Sequence, residues 1–236
     1  MSGTVSTTFK IDLSDGGTVT AKIDAPVKPK PDTPFFILAH GANNDLDFPL
    51  LAFLAQRLAD ASLASVVRFN FPYVERGVTS PDPRAVLEST FMSVYAHVRA
   101  ELSTPRAPVF AGGKSLGGRT AAELVSRRHE GLGLDAAGLI ILGYPLHAMG
   151  RRDSLFVEPL RHVGIPSLFL VGSRDSLCDP GLLRPILARL DHPGTLYVVE
   201  GGDHSLHLPR GAGRQPDASY APVAAEVARF IAHIVA

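Results

Sequence analysis

Three residue types that together can activate a hydroxyl occur in this chain in one order: Ser115, then Asp175, then His204. A serine hydroxyl is a poor nucleophile at neutral pH. It needs a histidine to take its proton and a carboxylate to hold that histidine in one tautomer. Ser115 lies in AGGKSLGGR, residues 111–119, which fits two machines. Gly-Lys-Ser ends a phosphate-binding loop, and Gly-x-Ser-x-Gly is a strand-to-helix turn that presents a nucleophile. The phosphate loop needs a glycine where this chain has Pro108, which lacks an N–H and cannot take a glycine geometry. The second reading fits. PVFAG reads as a strand running into the turn, and LGGRTAAELVSRR carries helix-forming residues after it. Gly113 and Gly117, two before and two after Ser115, are small where the turn is crowded. The following helix points its first N–H groups at the place where an oxyanion would form.

The partners are sought just past other strands. SLFLVGSRDSLCDP offers Asp175 and Asp179. Asp175 is nearer the strand end and is the expected acid, while Asp179 before Pro180 reads as a helix N-cap with proline in the first turn. TLYVVEGGDHSLHL offers His204 and His207. His204, just past Gly201-Gly202, is the expected base, and His207 reads as a surface or supporting residue. Two N–H donors are needed for the oxyanion. Leu116 supplies one, and Ala42 in FFILAHGANND supplies the other, with Gly41 allowing close approach. His40, at the strand end of that loop, is read as structural.

These residues need a scaffold that brings several strand ends together. Residues 5–12 and 17–24 alternate around a Ser-Asp-Gly-Gly turn and read as a hairpin. Apolar runs then recur at 35–40, 65–71, 108–113, 138–144, 167–173 and 195–201. Near-continuous apolar strands suit a parallel sheet covered on both faces. Between them Leu87, Phe91, Val94, Val98 and Leu102 share a helical face, as do Val223, Val227, Phe230, Ile231 and Ile234. The expected architecture is one α/β domain over 1–236, with ligands at the carboxyl ends of the strands.

Composition narrows the function classes. The chain has 236 residues, no net charge and one cysteine, Cys178, read as a small filler. A neutral chain lacks the cationic excess of a nucleic-acid binder. No apolar run is long enough for a membrane span, and the first residues lack a signal-peptide pattern. A cytoplasmic protein is expected, with no nucleic-acid or membrane partner; the oligomeric state is left open. No Cys/His ligand cluster or dinucleotide fingerprint is present, so no metal or organic cofactor is implied.

The set LAHGA, GGKSLGG, VGSRD and GGDHS, in this order over almost the whole chain, resembles the α/β-hydrolase family. RFNFPYVERG, PDP and GGKSLGGR more narrowly resemble a branch of predicted hydrolases. That branch includes a testis-expressed member and the third subunit of the NSL histone-acetyltransferase complex. The likeness to dienelactone-hydrolase-type enzymes is looser. The resemblance implies a three-layer fold, a mostly parallel sheet with helices on both faces, and Ser115, Asp175 and His204 as a catalytic triad. It implies Ala42 and Leu116 as oxyanion donors.

Residues 145–166 have room for one short helix near 154–163 and no lid domain. The loop 72–84 should overhang the site, so Tyr73, Glu75 and Arg76 are candidate substrate contacts beside Gly41. Lys114, the only lysine after Lys30, either pairs with an acid such as Glu75, recognises an anionic substrate, or packs beside the turn without a substrate role. The expected activity is hydrolysis of small carboxylic esters or thioesters through an acyl-enzyme. The alternatives are a hydrolase-fold binding or scaffold protein, and an acyltransferase or peptidase using the same triad.

Overall fold

A computed structural model describes residues 3–131, 133–192, 194–208 and 217–236. Its centre is an eight-stranded sheet in the order β1-β2-β4-β3-β5-β6-β7-β8. β1 (Thr4–Asp12) and β2 (Thr18–Pro26) form the antiparallel hairpin anticipated from their alternation. β2 also runs antiparallel to β4 (Ser65–Phe69), with Ala21 opposite Phe69. From β4 onward, through β3 (Phe35–Ala39), β5 (Val109–Lys114), β6 (Gly138–Leu142), β7 (Ser167–Gly172) and β8 (Thr195–Val199), every pairing is parallel.

The central strands have no exposed face. FFILA of β3, VFAGGK of β5, GLIIL of β6 and SLFLVG of β7 are buried at every residue. This is why their sequences run apolar without alternation. On one face lie α1 (Pro49–Asp60) and α7 (Asp217–Val235), which pack Leu50, Leu54, Leu58, Val223, Val227 and Ile231 against Phe36, Leu38, Phe110 and Ile140. On the other face lie α3 (Arg84–His97), α4 (Leu116–Ser126) and α6 (Pro180–Leu187). Leu87, Phe91 and Val94 of α3 meet Phe69, Val109 and Ala111 there. Each fully buried Leu, Val or Phe contributes roughly 1.5–3 kcal/mol, so the two apolar layers fix which strand ends meet.

Local signals set the helix ends. α6 begins at Asp179, whose Oδ1 accepts from Gly181 N–H at 2.8 Å, with Pro180 in the first turn. α3 passes into a π-helical turn at Val98–Leu102, in which Val98 is buried. The helix expected near 154–163 is shorter than that range. Only α5 (Glu158–Arg161) forms. Pro159 sits in its first turn, and Gly164-Ile165-Pro166 stops it. The segment before α5 instead folds back through a bridge between His147 and Leu155, and no lid domain is built. No helix among the described residues is long and apolar enough to cross a membrane. Cys178 is a buried free thiol in the loop before α6, and burial pushes its pKa well above the usual thiol range.

Candidate active site

β5 ends at Lys114 and α4 begins at Leu116, so Ser115 is the whole turn between strand and helix. Its backbone has φ 50° and ψ −111°, a conformation non-glycine residues rarely hold. Packing on both sides holds it there. A methyl group on Gly113 would lie 2.5 Å from Ala39 O and 2.7 Å from Gly117 C. One on Gly117 would lie 2.5 Å from His40 O. Real side chains do not approach backbone so closely, so glycine at both positions is what lets the turn seat against β3.

Asp175, the expected acid, lies in the loop after β7. Asp175 has a side chain with no solvent exposure, and its Oδ1 accepts from Leu177 N–H at 2.8 Å. His204, the expected base, lies in the loop after β8. Arg174 N–H donates to Gly202 O at 2.9 Å, and Gly201 N–H donates to Ser173 Oγ at 2.8 Å, tying the two loops together. Asp203 Oδ1 accepts from the N–H groups of Ser205 and His207, which sets the turn around His204.

His204 Nδ1 lies 2.9 Å from both Asp175 oxygens, and its Nε2 lies 2.8 Å from Ser115 Oγ. A carboxylate only accepts, so Nδ1 carries the proton and Nε2 is free to accept from the serine hydroxyl. The His204 side chain keeps 18% exposure, so the relay is buried at its acid end and open at its nucleophile end.

The loop after β3 carries Gly41 and Ala42. The Gly41 carbonyl accepts from His40 Nδ1–H at 2.8 Å, from Asn44 N–H at 3.3 Å and from Tyr73 Oη–H at 3.4 Å. His40 Nε2 in turn accepts from Phe71 N–H at 3.0 Å. His40 is therefore held as a neutral ring with a defined tautomer, and burial lowers its pKa. In a trans peptide the N–H points opposite the C=O, so pinning Gly41 C=O also fixes the direction of Ala42 N–H. Leu116 N–H is in the first turn of α4 and has no partner within that helix.

The other candidates separate. Tyr73 is buried under the loop after β3, where its hydroxyl donates to the Gly41 carbonyl. Glu75 does not meet Lys114. Its carboxylate accepts from Thr20 N–H, Thr20 Oγ1, Lys10 Nζ and Asn70 Nδ2, at 2.9 to 3.1 Å. These bonds hold it down to about 2, from an ordinary value near 4.5, against the opposing effect of burial. Arg76 is 55% exposed and pairs with Asp82, whose Oδ2 also accepts from Tyr73 N–H. Asp179 caps α6, and His207 bonds the Tyr220 hydroxyl on α7. Sequence reasoning missed the support of Gly41 by Tyr73; the aromatic pair Phe71 and Tyr73 beside His40 was the available signal.

Among the described residues no group of three His, Cys, Asp or Glu side chains could hold a metal ion. A cavity of about 360 Å³ lined by Arg84, Arg119, Glu123, Leu155 and Phe156 opens on the flank of α4 and does not include Ser115. Arg84 and Arg119 both pair with the buried Glu123 there.

Comparison with known proteins places this architecture. A solved dienelactone hydrolase from Anabaena variabilis is similar at TM-score 0.74 and 17% identity, covering 98% of each chain. Est1E from Butyrivibrio proteoclasticus, solved with ferulic acid bound, is similar at TM-score 0.74 and 13% identity, covering 96% of this chain and 99% of that one. An α/β serine hydrolase without lid from Xanthomonas campestris is similar at TM-score 0.63 and 19% identity, covering 98% of this chain and 93% of that one. These likenesses show the fold. The family model described as an alpha/beta hydrolase domain matches residues 32–232, from just before β3 into α7, and the chain belongs to that family.

Proposed function

We propose that this protein is a serine hydrolase that cleaves small carboxylic esters or thioesters through an acyl-enzyme. The observation that carries this reading is the continuous relay from Ser115 Oγ through His204 to the buried Asp175. His204 Nε2 takes the hydroxyl proton as Ser115 Oγ attacks the carbonyl carbon. The N–H groups of Ala42 and Leu116 receive the negative charge on the carbonyl oxygen. Collapse breaks the bond to the leaving alcohol or thiol, which takes the proton from His204. Water, deprotonated by the same nitrogen, then attacks the acyl carbon and releases the acid, and Ser115 regains its proton. Asp175 orients His204 and stabilises its cation at each step.

The solved relatives include a dienelactone hydrolase and a protein holding ferulic acid, which accords with small carboxylic substrates. The motif likeness to the testis-expressed and NSL-subunit branch supplies no substrate. A cytoplasmic setting belongs to the same proposal and accords with the free thiol of Cys178. A panel of p-nitrophenyl esters from acetyl to decanoyl tests the reading. Turnover highest on short acyl chains and absent in Ser115→Ala is expected. A folded protein inactive on the panel and on matching thioesters would overturn it in favour of a binding role.

A further inference from the structure

Lys114 immediately precedes the nucleophile and ends β5. It is 6% exposed, and its ammonium makes no hydrogen bond or ion pair among the described residues. Its stem lies against the loop after β3: a methyl group on Gly41 would be 2.9 Å from Lys114 Cδ. Its Nζ sits 5.5 Å from the centre of the Phe48 ring. It feels the charges of Asp175 and Asp203, which flank His204 on the acid and base loops. The side chain is thus covered by the loop after β3, while the carboxylates of the loops after β7 and β8 act on its charge.

Neither carboxylate neutralises it. Asp175 is committed to His204 and Leu177 N–H, and Asp203 Oδ1 to the N–H groups of Ser205 and His207. Glu75, the partner its charge suggested, is bound elsewhere. A nearby acceptor, Asn44 Oδ1, is buried without a hydrogen-bond partner and is neutral, so it leaves the charge uncompensated. Burying a cation without a counter-charge is costly unless a ligand supplies one.

We propose that Lys114 is a specificity residue of the active site, receiving a carboxylate carried by the substrate, so that the preferred esters are half-esters of short dicarboxylic acids. The inference rests on the serine-hydrolase reading and names its substrate class. Lys114 adjoins Ser115 in the chain, and its ammonium feels the same Asp175 carboxylate that bonds His204, so a carboxylate held within a lysine side chain's reach of the scissile carbonyl can meet it. Burial lowers the lysine pKa, with Asp175 and Asp203 opposing; a bound carboxylate adds to their effect and holds the ammonium charged.

The test compares monomethyl succinate with methyl levulinate, its neutral near-isostere, by methanol release. Wild type is expected to favour monomethyl succinate by about tenfold to a hundredfold in kcat/KM, the range of one charge-assisted hydrogen bond. Lys114→Met is expected to lose that preference, mainly through KM, and Lys114→Arg to keep part of it. Binding is read separately in Ser115→Ala, where monomethyl succinate should raise Tm and methyl levulinate should not, and the added Lys114→Met change should abolish the shift. Equal rates in wild type, a preference that survives Lys114→Met, or no difference in Tm shift would overturn the proposal. Loss of the hydrolase reading itself is distinguishable, because it would appear as an unreactive Ser115 toward a fluorophosphonate whatever the two esters do.

Discussion

Both carboxylate oxygens of Asp175 lie 2.9 Å from His204 Nδ1, and the Asp175 side chain has no contact with solvent. The acid is therefore held by one ring N–H and by Leu177 N–H in a site from which water is excluded. Its electrostatic hold on the imidazole is stronger there than it would be at the surface.

Asp175→Asn should keep the fold and lose the chemistry. The amide can preserve the contact but no longer favours the tautomer that leaves Nε2 unprotonated. Ester hydrolysis should fall by roughly four orders of magnitude in kcat, with melting temperature nearly unchanged. Steady-state rates and a thermal melt check both halves.

The bonds to the Gly41 carbonyl should report on the oxyanion role proposed for Ala42. Tyr73→Phe removes one donor to it while keeping the ring in place. A loss of about tenfold in kcat with little change in KM is expected, since in the proposed mechanism a loosened Ala42 N–H weakens transition-state binding. His40→Ala should cost more, because it leaves Phe71 N–H and Gly41 C=O short of a buried partner. About 1–3 kcal/mol of stability per group is expected, read from urea unfolding.

The turn glycines separate crowding from conformation. Gly117→Ala drives a methyl group into His40 O and should cost about 1–3 kcal/mol or more, while displacing Ser115 and reducing activity. Gly150→Ala meets no neighbour but keeps φ at 73°, so it should cost roughly 1–2 kcal/mol with activity intact. Comparing chemical unfolding with activity in the two variants distinguishes the causes.

Glu75 should shape acid stability. Its folded carboxyl titrates at about 2 and the unfolded one near 4.5. The folded state therefore binds fewer protons between these values. The contribution is complete above about 4.5 and is lost as pH falls toward 2. It is modest, because the side chain is 22% exposed and its lysine partner is largely in solvent. Urea unfolding at pH 6 and pH 3 should show a smaller drop in Glu75→Gln than in wild type.

The central strands and the Ser115, Asp175, His204 order were legible because burial on both faces demands unbroken apolar runs, and because each residue follows its own strand. The role of Glu75 was not legible. Its partners Lys10 and Thr20 belong to the hairpin, and they reach it only because β2 inserts antiparallel beside β4. That pairing is a tertiary choice with no local mark. The extent of α5 was not legible, because the length of chain between two strands allows a helix without fixing its ends; Pro159 in its first turn and Gly164-Ile165-Pro166 after it leave room for only four residues. The support of Gly41 by His40 and Tyr73 crosses from the loop after β3 to the segment after β4, a meeting created by their neighbouring positions in the sheet.

Labelling with a fluorophosphonate probe tests the central claim most directly, because the probe bonds only to a serine activated by an assembled relay. The account predicts stoichiometric labelling of wild type at Ser115, none in Ser115→Ala, and strongly slowed labelling in His204→Ala. Folded wild type that stays unlabelled, or labelling that persists in Ser115→Ala, would contradict it.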